Sequence, residues 1–122
     1  MALPGQETFD RSRRLTTPAE YSHVFQNARR SGDNLLLVLA RDNNLGHARL
    51  GMAIARKKIL KATARNRVKR IIRESFRHHQ HDLNGLDFVV LARSNLSAID
   101  NQYLFQSLET HWVKHQRLKH KT

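Results

Sequence analysis

Apolar residues change their spacing several times along this chain, and each spacing defines an element. Tyr21, Val24, Phe25 and Ala28 recur at i, i+3, i+4 and i+7, one face of an α-helix. Thr17-Pro18-Ala19-Glu20 opens that helix: Thr17 can cap it, Pro18 suits the first helical position, Glu20 can reach back to complete a capping box, and Gly32 can close it. From Asn34 to Ala40 the chain is short and almost wholly apolar between turn residues, which fits a buried strand. After the turn residues Asp42-Asn43-Asn44 and Gly46, the large residues Leu50, Met52 and Ile54 alternate with Arg49, Gly51, Ala53 and Ala55. This second strand has one bulky face and one nearly bare face, and the two strands are expected to pair as an antiparallel hairpin. The bare face leaves room for a packed helix, the default, or for an extended ligand strand.

Asn84-Gly85 breaks the chain again, and Leu86 to Ala92 reads as a third strand, apolar on both sides through Phe88, Val89, Val90 and Leu91 and therefore central. Leu104, Phe105, Leu108 and Trp112 fall on one arc of a C-terminal helix that Asp100 can cap, with Trp112 as its core anchor. Residues 1–14 lack periodicity and read as an irregular basic arm; residues 114–122 are basic and polar and read as a fraying tail. The whole, residues 1–122, reads as one α+β domain with helices layered on a small sheet.

The segment from Arg56 to Arg77 is patterned differently. With Arg65 at 0° and about 100° per residue, Val68, Ile71, Ile72, Ser75 and Phe76 occupy an arc from about 240° round to about 20°, the expected buried face. Lys69, Arg73, Asn66, Arg77 and Arg70 lie between about 40° and 140° and form an exposed stripe of donors. Lys69 with Arg73 and Arg73 with Arg77 are like-charge i,i+4 pairs, relieved only by Glu74, which Arg70 and Arg77 can reach. An anionic partner would remove that repulsion. A merely solvated face would interleave both signs of charge. A helix lying on lipid or serving as a calmodulin-type target would need apolar residues that the core requires here.

Charge and composition sharpen the partner. Lys and Arg number 22 against 10 Asp and Glu, a formal net charge of +12, and 15 of the 22 are Arg, whose planar fork pairs with phosphate and stacks on bases. Nucleic acid is the polyanion this bias favours. The absence of cysteine excludes disulfides, thiolate-bound zinc and thiol nucleophiles. No apolar stretch reaches the roughly 20 residues that span a bilayer, and the N-terminus lacks the pattern of a secretion signal, so a cytoplasmic protein without a membrane partner is expected. His78, His79, His81 and Asp82 form a single short tract without a second ligand group, read as solvated residues at a helix end, so no metal site is assigned. No nucleophile elbow, Gly-rich phosphate loop or Ser-His-Asp grouping is legible, and no catalytic residue is assigned.

The run Arg65-Asn66-Arg67-Val68-Lys69-Arg70-Ile71-Ile72-Arg73-Glu74, preceded by Lys57-Lys58 directly after a strand, resembles the RNR signature of the bacterial ribonuclease P protein family. The likeness extends through Arg14-Leu15, Tyr21, Phe25, the Gly51-centred strand and Asp87-Phe88-Val89-Val90, covers roughly Phe9 to Trp112, and is closest to the enterobacterial type. Leu60 departs from it, since many members carry Gly there, and Arg56 is an additional charge.

The resemblance implies a two-layer α/β sandwich of αβββαβα topology with a left-handed βαβ crossover, related to the second domain of a ribosomal protein. It implies a protein subunit that binds the catalytic RNA and the 5′ leader of precursor tRNA, needs no protein partner, and assists leader removal. Catalysis and most of the Mg²⁺ would then belong to the RNA. Arg65, Asn66, Arg67, Lys69, Arg70, Arg73 and Arg77 are assigned to the RNA subunit, Tyr21, Phe25, Lys57 and Lys58 to a leader cleft, and Arg11, Arg14 and Lys61 to additional basic contacts. From the residues alone Phe25 reads as core, while Tyr21 stands equally between core and stacking platform. The alternative is a stand-alone or ribosome-associated RNA-binding module with no role in processing.

Overall fold

The computed structural model describes residues 11–120, with side chains as far as Leu118. Residues 1–10 of the expected arm lie outside the described residues; Arg11–Arg13 form a short 3₁₀ turn, and Arg14 bridges to Leu50. The elements that follow are α1 (Pro18–Gln26), β1 (Arg29–Gly32), β2 (Leu36–Asp42), β3 (Arg49–Ala53), α2 (Ala62–His79), a 3₁₀ turn (Gln80–Leu83), β4 (Leu86–Ala92) and α3 (Asn101–His120). The order αβββαβα is the one the resemblance implies.

The capping box of α1 is present: the Glu20 amide donates to Thr17 Oγ1 at 3.2 Å, and the Thr17 amide donates to Glu20 Oε1 at 2.9 Å. The helix stops at Gln26, short of Gly32, because Arg29–Gly32 leaves it to pair with β2 as an edge strand.

The four strands lie in the order β1-β2-β4-β3. β2 is antiparallel to β1 and to β4, with Val38 opposite Val90, while β3 runs parallel to β4, with Gly51 opposite Val89. The expected β2–β3 hairpin is therefore absent. β4 separates the two strands because its run from Leu86 to Val90 is buried throughout and needs a neighbour on either side. α2 makes the crossover between the parallel pair β3 and β4.

Leu36, Val38 and Ala40 of β2, Leu50 of β3, and Leu86, Phe88 and Val90 of β4 face α2 and α3 and form the main core. Every residue the helical wheel places inside, Val68, Ile71, Ile72, Ser75 and Phe76, is buried in α2. Trp112 anchors α3 between Phe76 and Phe88, with centroids 6.0 Å and 5.1 Å away in edge contacts, and its indole N–H donates to Ser75 Oγ at 2.9 Å. α3 continues to His120, so the tail expected to fray from Lys114 is helical as far as the described residues go, and Nε2 of fully buried His115 donates to Val38 O at 2.9 Å. The opposite face of the sheet carries a smaller cluster, Leu15, Val24, Leu39 and Val89, under α1. The packed helix, not an empty face, covers part of the bare side of β3.

Candidate nucleic-acid interface

α2 divides as its sequence predicts. Lys69, Arg70, Arg73 and Arg77 take part in none of the side-chain hydrogen bonds or ion pairs among the described residues, and Glu74 forms no ion pair with them. Acidic partners are spent elsewhere: Asp42 on Arg29, and Glu20 and Asp87 on Arg49. The stripe pairs with no carboxylate among the described residues. It borders two shallow hollows, one of about 310 Å³ lined by Arg70, Arg73, Glu74 and Arg77, the other of about 450 Å³ lined by Thr63, Asn66, Arg67, Arg70 and Arg73. Arg77 Nε is a buried donor with no hydrogen-bond partner among the described residues. Cationic donors that outnumber the single Glu74 carboxylate around a concave surface suit phosphate oxygens.

Arg65 and Arg67 are arranged otherwise. Arg65 Nη1 donates to the carbonyls of Ile59 and Leu60, both at 2.8 Å, fastening the loop in which Leu60 stands 79% exposed. Arg67 Nη1 donates to Ile99 O at 2.9 Å and Asn101 Oδ1 at 2.7 Å, and its Nη2 to Leu96 O at 2.6 Å and Ser97 O at 3.3 Å. Both guanidiniums are partly buried against their own chain. Lys61 is exposed at the N-cap of α2 and makes no side-chain cap.

Beside the stripe a hollow of about 350 Å³ is lined by Arg14, Leu15, Tyr21, Leu50, Met52 and Arg73. It joins the basic arm, α1, the outer edge of β3 and the RNR helix. β3 is an edge strand, and its outward groups are capped internally: the Leu15 amide donates to Leu50 O at 3.0 Å, and the Met52 amide donates to Tyr21 Oη at 3.1 Å. The Tyr21 ring lies on Gly51, where an added Cβ would come within 2.8 Å of ring carbons, so only glycine admits this contact. Phe25, one turn on, is 48% exposed, which corrects the reading of it as core. Lys57 and Lys58 are exposed after β3, and Lys58 Nζ donates to Arg93 O at 3.4 Å. Lys57, Lys58 and Phe25 therefore do not line the Arg14–Tyr21–Arg73 hollow.

The frame behind this surface is centred on Arg49, to which the sequence pattern alone assigns no partner. Arg49 Nε and Nη2 donate to both oxygens of buried Asp87 at 2.9 and 2.7 Å, and its Nη1 donates to Glu20 Oε2 at 2.7 Å, tying β3 to β4 and to α1. Asn43 adds a hydrogen bond to Asp87 Oδ1 at 2.8 Å. The visible signal was Asp87 itself, a carboxylate inside an apolar strand that must find a cationic partner. Amide donors from Thr16 and Thr17, opposed by partial burial and aided by Arg49, hold the Glu20 carboxyl down at about 2.

Comparison with known proteins agrees with this architecture. The family model for ribonuclease P matches residues 9–116. The chain is 49% identical over 112 residues to the ribonuclease P protein component of Methylococcus capsulatus, covering 91% of this chain and 88% of the relative. Among solved structures it resembles the RNase P protein from Thermotoga maritima in complex with 1-(4-fluorophenyl)-2-thiourea, with a TM-score of 0.74 and 32% identity over 81% of this chain and 96% of that one. It also resembles the Staphylococcus aureus RNase P protein, with a TM-score of 0.75 and 27% identity over 84% and 93% of the two chains.

Proposed function

Because the chain belongs to the ribonuclease P protein family, whose members are protein components of the ribonucleoprotein that matures the 5′ ends of tRNAs, we propose that it docks the catalytic RNA through the outer stripe of α2. The observation that carries this is the set of four cations, Lys69, Arg70, Arg73 and Arg77, without partners among the described residues, on the helix that crosses between β3 and β4. Asn66 extends the stripe as a neutral donor. Precursor tRNA is the second partner. Its single-stranded 5′ leader is assigned to the side of the sheet under α1, where exposed Phe25 offers a face for base stacking and Lys57 and Lys58 offer charge beyond β3. Arg11 and Arg14 extend the basic surface from the other side, with Arg14 and Arg73 flanking the Tyr21 hollow.

Mg²⁺ belongs with the RNA in this reading. Among the described residues no group of three or more His, Cys, Asp or Glu is placed to hold a metal ion, and the docking face is cationic. The protein contributes by screening phosphate charge and by holding the substrate, so its effect is greatest where Mg²⁺ is scarce. Among the same residues no helix is long and apolar enough to cross a membrane.

Reconstitution tests the reading. The protein mixed with a bacterial ribonuclease P RNA at low Mg²⁺ is expected to raise correct 5′ cleavage of precursor tRNA well above RNA alone. No gain would leave a stand-alone RNA-binding module as the better description.

A further inference from the structure

The RNR signature is contiguous in sequence but not on the surface. On the helical wheel that puts the outer stripe between about 40° and 140°, Arg65 falls at 0° and Arg67 at about 200°, one on each flank. The structure shows what the flanking positions do. Both Arg67 Nη atoms are committed, to the carbonyls of Leu96, Ser97 and Ile99 and to the Asn101 side chain, so one guanidinium gathers the β4–α3 connection and the first residue of α3 against α2. Arg65 does the same for the β3–α2 loop through Ile59 and Leu60.

These are carbonyl acceptors that a turning loop presents inward. A planar fork can satisfy several at once, whereas an ammonium on a flexible stem cannot span them. Breaking the clamp to reach a phosphate would expose or orphan those carbonyls, three of which converge on Arg67. Arg70 and Arg73 carry no such cost, since neither has a partner among the described residues. The residues beside the clamp, Ser97 to Gln102, border a hollow that also includes Arg67, so the loop it holds forms a wall next to the donor stripe.

We infer that Arg67 is a positioning residue for RNA docking and not a phosphate contact, holding the 96–101 loop beside the donor stripe, with Arg65 as its counterpart on the β3–α2 loop. The inference rests on the reading of α2 as the RNA face. It divides the signature into inner ties, Arg65 and Arg67, and outer contacts, Asn66, Lys69, Arg70, Arg73 and Arg77.

Affinity for ribonuclease P RNA measured across a salt series, together with amide exchange of residues 96–101, separates the possibilities. For Arg67→Ala the affinity is expected to fall severalfold at every salt concentration with an unchanged log–log slope, while exchange in the loop accelerates. Arg67→Lys is expected to behave like Arg67→Ala despite keeping the charge. Arg70→Ala, the control for the face itself, is expected to lose about 0.7 of slope with loop exchange unchanged. A comparable loss of slope in Arg67→Ala would make it a direct contact and overturn the inference. So would unchanged affinity, which would leave the clamp purely structural, and so would full rescue by lysine. Should Arg67→Ala not fold, Asn101→Ala removes one clamp acceptor and no charge, and is expected to weaken binding at constant slope; unchanged affinity there overturns the inference as well. An unchanged slope in Arg70→Ala would instead refute the docking face and leave the loop-exchange result to report on the clamp alone.

Discussion

Tyr21 and Phe25 lie one helical turn apart on α1, yet the fold uses them differently. Tyr21 has its ring on Gly51 and its hydroxyl on the Met52 amide, whereas Phe25 is about half exposed. Helical spacing alone cannot separate them, because α1 spans nine residues and shields only part of the sheet; Val24 takes its inward position and Phe25 falls at the edge of the arc. Tyr21→Phe is expected to cost about 0.5–1.5 kcal/mol through the lost hydrogen bond. Gly51→Ala is expected to cost about 1–3 kcal/mol as Cβ displaces the ring. Urea unfolding measures both. Phe25→Ala is expected to change stability by no more than about 0.5 kcal/mol while narrowing the affinity difference between precursor tRNA with and without its leader. An unchanged difference would remove Phe25 from the leader surface. Arg67 teaches a related lesson: a charged residue inside a recognisable signature looks like its neighbours until its acceptors are seen.

Among the elements, α2 was the most legible because its apolar and charged residues separate on a 3.6-residue period, and its buried positions agree one for one. β4 was legible as central for the opposite reason, being apolar on both faces. β1 was hidden: Arg29-Arg30-Ser31-Gly32 has no apolar alternation and is held by backbone pairing to β2 and by Ser31 against His111 at 2.6 Å. The pairing of β3 was misread because hairpins are the short-range default, while its actual partner lies beyond an intervening helix. α3 carries a pH dependence. Burial, first of all, pushes both His111 and His115 below their ordinary value of 6.5; Asp33 pulls His111 back up, and Lys114 and Arg93 push it further down. Their neutral forms are the ones the fold accommodates. The stability this provides is present above pH 6.5 and is lost as pH falls below it. The urea midpoint is therefore expected to drop between pH 7.5 and pH 5.5, with α3 amides losing exchange protection first; equal midpoints would show that the two histidines do not titrate on unfolding.

On the scale of the molecule, a net charge of +12 is distributed with a purpose. The ion pairs among Arg29, Arg49 and their carboxylates brace the sheet, and the outer cations of α2 are left for a partner. That division ties the protein's contribution to ionic conditions, since each phosphate contact releases counterions and binding weakens as salt rises. The test that bears most directly on this is the salt dependence of ribonuclease P RNA binding by the double variant Arg70→Ala/Arg73→Ala. Loss of two phosphate contacts is expected to flatten the log–log slope by about 1.4, at about 0.7 per contact, with folding intact. A slope equal to that of the unmodified protein would place the RNA on another face and contradict the account.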